Sequence, residues 1–294
     1  MNEIFGVPTQ ALFGQLLIGL INGSFYALLS LGLAVIFGLL NIINFAHGAQ
    51  YMVGAFCAWF LFTRAGLSYW WALVITPLVV GAIGVIIERT MLRRLYKLDH
   101  LYGLLLTFGL ALIIQGVFRH LYGSSGLPYP IPEALSGGQN LGFMFLPNYR
   151  AWVVAASIVI CFGTWYMIER TKLGSYLRAA TENPALVQAF GINVPRMVML
   201  TYGFGVGLAG LAGVFAAPIY QVNPLMGENM IIVVFAVVVI GGMGSIMGSI
   251  VTGFGLGVIE GLTKVFYPEA SNTVIFIIMA IVLLIRPQGL FGQR

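Results

Sequence analysis

Residues 197–220 read MVMLTYGFGVGLAGLAGVFAAPIY, with no charged side chain in the run. About 20 consecutive apolar residues are enough for a helix to cross a bilayer. Runs of the same kind flank this one on both sides, at 11–39, 44–63, 69–88, 101–120, 150–168, 229–247, 249–267 and 272–286. Over the whole chain 60% of residues are hydrophobic and 8% are charged, against about 25% charged in a soluble domain. The expected fold class is therefore all-α, a polytopic integral membrane protein with about nine transmembrane helices in one domain over 1–294. The run at 44–63 opens on polar residues and the last run is short, so either can be re-entrant and the count spans roughly eight to ten. A transmembrane β-barrel would show alternating segments of about ten residues, and none is legible.

Lys and Arg set the orientation. With nine spans, Arg89, Arg93, Arg94, Lys97, Arg170, Lys172, Arg178, Arg196, Arg286 and Arg294 share one side, leaving Arg64, Arg119, Arg150 and Lys264 on the other. Cytoplasmic loops carry the excess of basic residues, which predicts an external N-terminus and a cytoplasmic C-terminus. The net charge of +5 thus speaks to orientation and not to nucleic acid. The first residues hold Glu3 and no basic region, so the first span is expected to stay in the mature protein. Cys57 and Cys161 fall in apolar runs and read as small buried hydrophobes.

Two long loops follow from this map. The external one, 123–149, carries alternating Pro128, Pro130 and Pro132, which favours an extended path. It is open between a docking surface and a plain connector. The cytoplasmic one, 169–196, contains RAATENPALVQAFGINVPR at 178–196. Asn183 is a good N-cap, Pro184 suits the first helical position, and Gly191 sits where a helix ends in a left-handed residue. A helix this short is marginal alone in water, so something should dock on it. Ala185, Leu186, Ala189 and Phe190 fall on one face.

Glycine is patterned. Gly203 and Gly207 are four apart, as are Gly244 and Gly248, and Gly253, Gly257 and Gly261 continue the spacing. That spacing lines one helix face and lets backbones approach, within the chain or against a second membrane subunit. The GGMGS run at 241–245 is too rich in glycine for a stable helix and predicts a turn or break. Gly205, Gly207 and Gly210 fit GxGxxG but lack the strand and helix of a dinucleotide site. LSGGQ at 135–139 is the signature string of ABC ATPase subunits, yet no GxxxxGK[ST] phosphate loop accompanies it.

Polar residues inside apolar runs are the candidate path. Asn41, Asn44, His47 and Gln50 recur every three residues, covering a broad arc of a helix. They either close a helix break near the cytoplasmic interface or line a translocation path. Asn22 and Gln115 are further path candidates. Glu260 is the most deeply embedded carboxylate, and Lys264 follows at i+4, as in an intrahelical ion pair; a proton relay is the alternative. No HExxH, GxSxG or Cys/His cluster is present, so no catalytic residue, metal site or cofactor is expected.

Taken together, NFAHG (44–48), the 178–196 segment, LAGLAG (208–213), GGMGSIMG (241–248) and RPQGLFG (286–292) resemble the LivH-type permeases of branched-chain amino acid ABC transporters. The resemblance implies a bacterial inner-membrane importer. Its other parts would be a LivM-type second permease, two cytoplasmic ATPase subunits that hydrolyse ATP, and an external binding protein. It also implies that Ala180, Asn183, Ala185, Ala189, Gly191 and Ile192 belong to an ATPase-coupling segment, although Ala-Ala-Thr-Glu stands where the familiar Glu-Ala-Ala core would be. Permeases of this type serve branched-chain and other amino acids, small amides, urea or aromatic acids. The remaining alternatives are an ion-coupled secondary transporter and a structural or scaffolding membrane protein with no transport path.

Overall fold

The computed structural model describes residues 3–4, 7–40, 42–96 and 98–292. Eleven helices are found among them: α1 (Thr9–Leu40), α2 (His47–Thr63), α3 (Tyr69–Thr90), α4 (His100–Tyr122), α5 (Asn148–Arg170), α6 (Lys172–Glu182), α7 (Pro184–Ala189), α8 (Val194–Tyr220), α9 (Met226–Gly241), α10 (Ile246–Phe266) and α11 (Val274–Ile285). A helix lies on each of the expected apolar runs. Six of them, α1, α3, α4, α5, α8 and α10, are long and apolar enough to cross a membrane. α2, α9 and α11 are shorter. The chain is an all-α polytopic membrane protein.

Two compact units are present. One comprises Leu31–Pro130 and Phe162–Ile232, and the other comprises Met1–Ser30, Ile131–Cys161 and Val233–Arg294. In the first, α8 runs along α3 and also crosses α2. The reason is the small-residue surface of α8. A Cβ on Gly203 would lie 2.6 Å from Val85, and one on Gly207 would lie 2.9 Å from the Pro77 carbonyl oxygen. One on Gly210 would meet Val80 at 2.8 Å, while Gly54 of α2 abuts the Gly210 backbone itself. Around this seam Ile36, Val80, Ile87, Leu92, Tyr202 and Val206 form a buried cluster.

The second unit contains a second glycine seam, where α10 lies antiparallel to the first half of α1. Gly253 faces the Ala27 backbone, Gly257 faces Gly19 and Gly23, and Gly261 faces the Gln15 carbonyl. Each of these glycines costs about 1 kcal/mol of helix propensity relative to Ala. The dispersion contacts that open when two backbones touch offset it.

The GGMGS run is a turn. Gly242 (φ 100°) and Gly244 (φ 96°) adopt left-handed conformations that side chains rarely reach. Ser245 then caps α10 by accepting from the Gly248 N–H at 3.0 Å. The terminal segment closes over this turn, with Leu290 N–H donating to Ile240 O at 2.8 Å and Phe291 N–H to Gly241 O at 3.1 Å. Within the long loop, β1 (Gly138–Asn140) and β2 (Phe145–Pro147) pair as an antiparallel hairpin that takes in the end of LSGGQ.

Candidate functional site

The α6–α7–α8 corner is built from local signals. The Asn183 side chain accepts from the Leu186 N–H at 3.0 Å, which starts α7, with Pro184 in the first turn. Gly191 stops it at φ 82°. Asn193 repeats the device for α8, accepting from Arg196 N–H at 3.0 Å. The corner has two faces. Val187, Ala180 and Val194 are buried together, with Ile192 packed against them. Ala185, Leu186, Ala189 and Phe190 point the other way and are exposed, Leu186 at 54% and Phe190 at 77%. Ala180 and Ile192 therefore support α7 from beneath and do not share its outward face.

Behind the corner lies a cavity of about 410 Å³, bordered by Glu88, Arg93, Tyr96, Leu177, Ala180 and Pro184. The Tyr96 hydroxyl donates to Glu88 Oε1 at 2.8 Å. Burial, and then this bond, push the Tyr96 hydroxyl far above its ordinary pKa, so it stays a donor.

The polar set of the second run is brought together at a break between α1 and α2. Asn44, His47 and Gln50 are all buried. Asn44 Nδ2 donates to Gln50 Oε1 at 2.9 Å, tying the incoming chain to the first turn of α2. The His47 ring packs on Gly32, where a Cβ would lie 3.0 Å from Cε1. Asn41 lies outside the described residues. Thr107 of α4 was not foreseen. Its hydroxyl accepts from Phe45 N–H at 3.1 Å, and Ile43 O (3.2 Å) and Leu104 O (3.0 Å) lie within reach of its single proton. It thus serves backbone groups that the break releases. Asn44 Oδ1 is buried without a hydrogen-bond partner among the described residues, while the Gln50 amide and the Tyr202 hydroxyl, both buried, face each other.

Gln115 does not join that cluster. Its Nε2 donates to Glu228 Oε2 at 2.8 Å, at a pocket that Gly48 and Ala49 of α2 also border. Asn22 is half-buried on α1, in the other unit. Glu260 is buried, accepts from the Tyr26 hydroxyl at 2.7 Å, and pairs with Lys264 one turn on. Nothing local in the sequence marks Thr107 or Glu228, because each partner is far away in the chain.

A family profile described as "Branched-chain amino acid transport system / permease component" matches residues 15–283. The chain belongs to this permease family. It is 29% identical to the high-affinity branched-chain amino acid transport system permease protein LivH of Escherichia coli (strain K12), over 100% of this chain and 98% of that protein. The corresponding BraD protein of Pseudomonas aeruginosa is 30% identical, with 95% of each chain covered. The LivM permease protein of the E. coli system is 28% identical over 90% of this chain and 67% of its own length.

Proposed function

We propose that this permease is the LivH-type membrane subunit of an ATP-driven importer for branched-chain amino acids, in a bacterial inner membrane. It pairs with a LivM-type permease, receives substrate from an external binding protein, and is driven by two cytoplasmic ATPase subunits. The names of its relatives supply the substrate class, and both LivH and LivM proteins resemble it. The shorter helices α2, α9 and α11 complete nine crossings. On the positive-inside rule, the N-terminus is then outside and the C-terminus, with the α6–α8 corner, is cytoplasmic.

The observation that carries this reading is Phe190, 77% exposed at the C-cap of a helix that Asn183 caps at its start. A six-residue helix with its apolar face outward is a preformed plug for a groove on a partner. The small residues Ala185 and Ala189 permit close approach, and Gly191 fixes the exit of the chain. Asn44, His47, Gln50, Asn22 and Gln115 are the polar groups available to the path, with Asn44 and Gln50 also closing the break.

The test is leucine uptake into proteoliposomes holding the complete complex, with loaded binding protein on one side and ATP on the other. ATP-dependent uptake without an ion gradient is expected. Uptake by this chain alone, driven by a proton or sodium gradient, would replace this reading with a secondary transporter.

A further inference from the structure

A pocket of about 150 Å³ lies between α2, α4 and the start of α9. That is roughly five water volumes, the scale of a small aliphatic side chain. Phe45, Met52, Phe108, Leu112 and Ile231 supply an apolar wall, and the Glu228–Gln115 pair supplies its polar end. Phe45 and Phe108 stand edge to face at 6.3 Å and 87°. Thr107 holds the backbone N–H of Phe45, so this wall is fixed by the same contact that closes the break. Gly48 and Gly227 touch backbone to backbone at its margin.

Glu228 needs an explanation. It forms no ion pair with any described residue, and its one hydrogen bond is to Gln115. Gln115 sits about two turns before α4 ends at Tyr122, roughly 10 Å along the helix axis. The carboxylate is exposed yet bonds to a side chain within the candidate span α4, where an unpaired charge is costly unless it faces a water-filled path. It stands in the first turn of α9, at the positive end of that helix's dipole. A lone carboxylate, accessible and beside an apolar wall of this size, is complementary to an ammonium group carrying a short branched hydrocarbon.

We infer that this pocket is a transient substrate site on the path, with Glu228 receiving the ammonium group and the Phe45–Phe108 wall receiving the aliphatic side chain. This rests on the importer reading above. Gln115 is a positioning residue that holds the carboxylate toward the pocket.

The test uses the complete reconstituted importer and radiolabelled leucine. Glu228→Gln keeps a hydrogen-bonding partner for Gln115 and removes only the charge. Uptake is expected to fall at least tenfold while the four kinds of subunit still copurify. Leu112→Trp fills the pocket and should lower leucine uptake more than alanine uptake through the same complex. Wild-type leucine uptake in Glu228→Gln would overturn the site. Dissociation of the sister permease in that variant would also overturn it, by assigning the charge to the interface. A wild-type complex that takes up no leucine would instead remove the importer reading, and the site with it.

Discussion

Tyr26 and Glu260 meet across the α1–α10 seam, the phenol donating to the carboxylate at 2.7 Å. Lys264 engages the other oxygen. A buried carboxylate is tolerated only when its charge and its lone pairs are both met, and here both are. The arrangement is a structural clip beside the glycine seam. A proton relay needs a group free to exchange its partner. Tyr26→Phe should lower the stability of the subunit by about 1–3 kcal/mol, read as a drop in the unfolding temperature of the purified complex. Glu260→Gln should keep ATP-driven uptake above half of wild type. Loss of uptake in an intact Glu260→Gln complex would return the proton relay to consideration.

The seam itself supplies a matched pair of substitutions. Gly257 faces Gly19 and Gly23 backbone, whereas Gly255, two residues away on the same helix, has nothing within 4 Å of where its Cβ would stand. Gly257→Ala should cost about 1–3 kcal/mol through overpacking. Gly255→Ala should be neutral or stabilising by up to about 1 kcal/mol, because helix propensity is then the only term left. Fluorescence-detected size exclusion after graded heating reads both. Equal behaviour of the two variants would mean that α10 does not lie on α1 along this face.

The break between α1 and α2 depends on Thr107. Thr107→Val has the same shape but offers no acceptor to Phe45 N–H and no donor to Ile43 O. An unsatisfied buried backbone group costs about 1–3 kcal/mol, so the midpoint of thermal unfolding should fall accordingly. Gln50→Leu leaves the backbone contacts intact and removes the amide that meets Asn44. If Gln50 lines the path, this variant should lose uptake per assembled complex by more than Thr107→Val does. The reverse ranking would assign the amides to structure alone.

What the sequence makes legible is what has a local cause. Asn183, Pro184 and Gly191 lie within one short segment, and each acts on backbone groups close to it, so α7 is readable from start to stop. The four-residue spacing of Gly253, Gly257 and Gly261 declares a close-contact face, but its occupant is not readable. Gly19, Gly23 and Ala27 become partners only after the chain has folded back over more than two hundred residues. Thr107 and Glu228 escape for the same reason. Boundaries add to this: α9 begins at Met226 and not near 229, which draws Glu228 into a helix and toward Gln115. Ala180 and Ile192 share a segment with Phe190 but not a face, because α6 turns against α8 through their side chains.

The two faces of α7 separate docking from folding. Val187 is buried against Ala180 and Val194, so Val187→Ala should loosen the corner and lower its stability. Phe190 is 77% exposed and Leu186 54%, so Phe190→Ala should leave the isolated permease pair as stable as wild type. Truncating an aromatic anchor that a partner buries commonly costs 2 kcal/mol or more, roughly thirty-fold in affinity. Ala189→Asp goes further, because it places a charge in a contact that must shed water. In that variant the chain should remain inserted and paired with the sister permease, while the ATPase subunits are lost on purification and uptake stops. Surface-immobilised permease pair and titrated ATPase give the affinities directly. Wild-type ATPase affinity in both Phe190→Ala and Ala189→Asp would show that the coupling surface lies elsewhere on the cytoplasmic side. Loss of affinity in Val187→Ala alone would mean that the corner matters for its fold and not for its outward face.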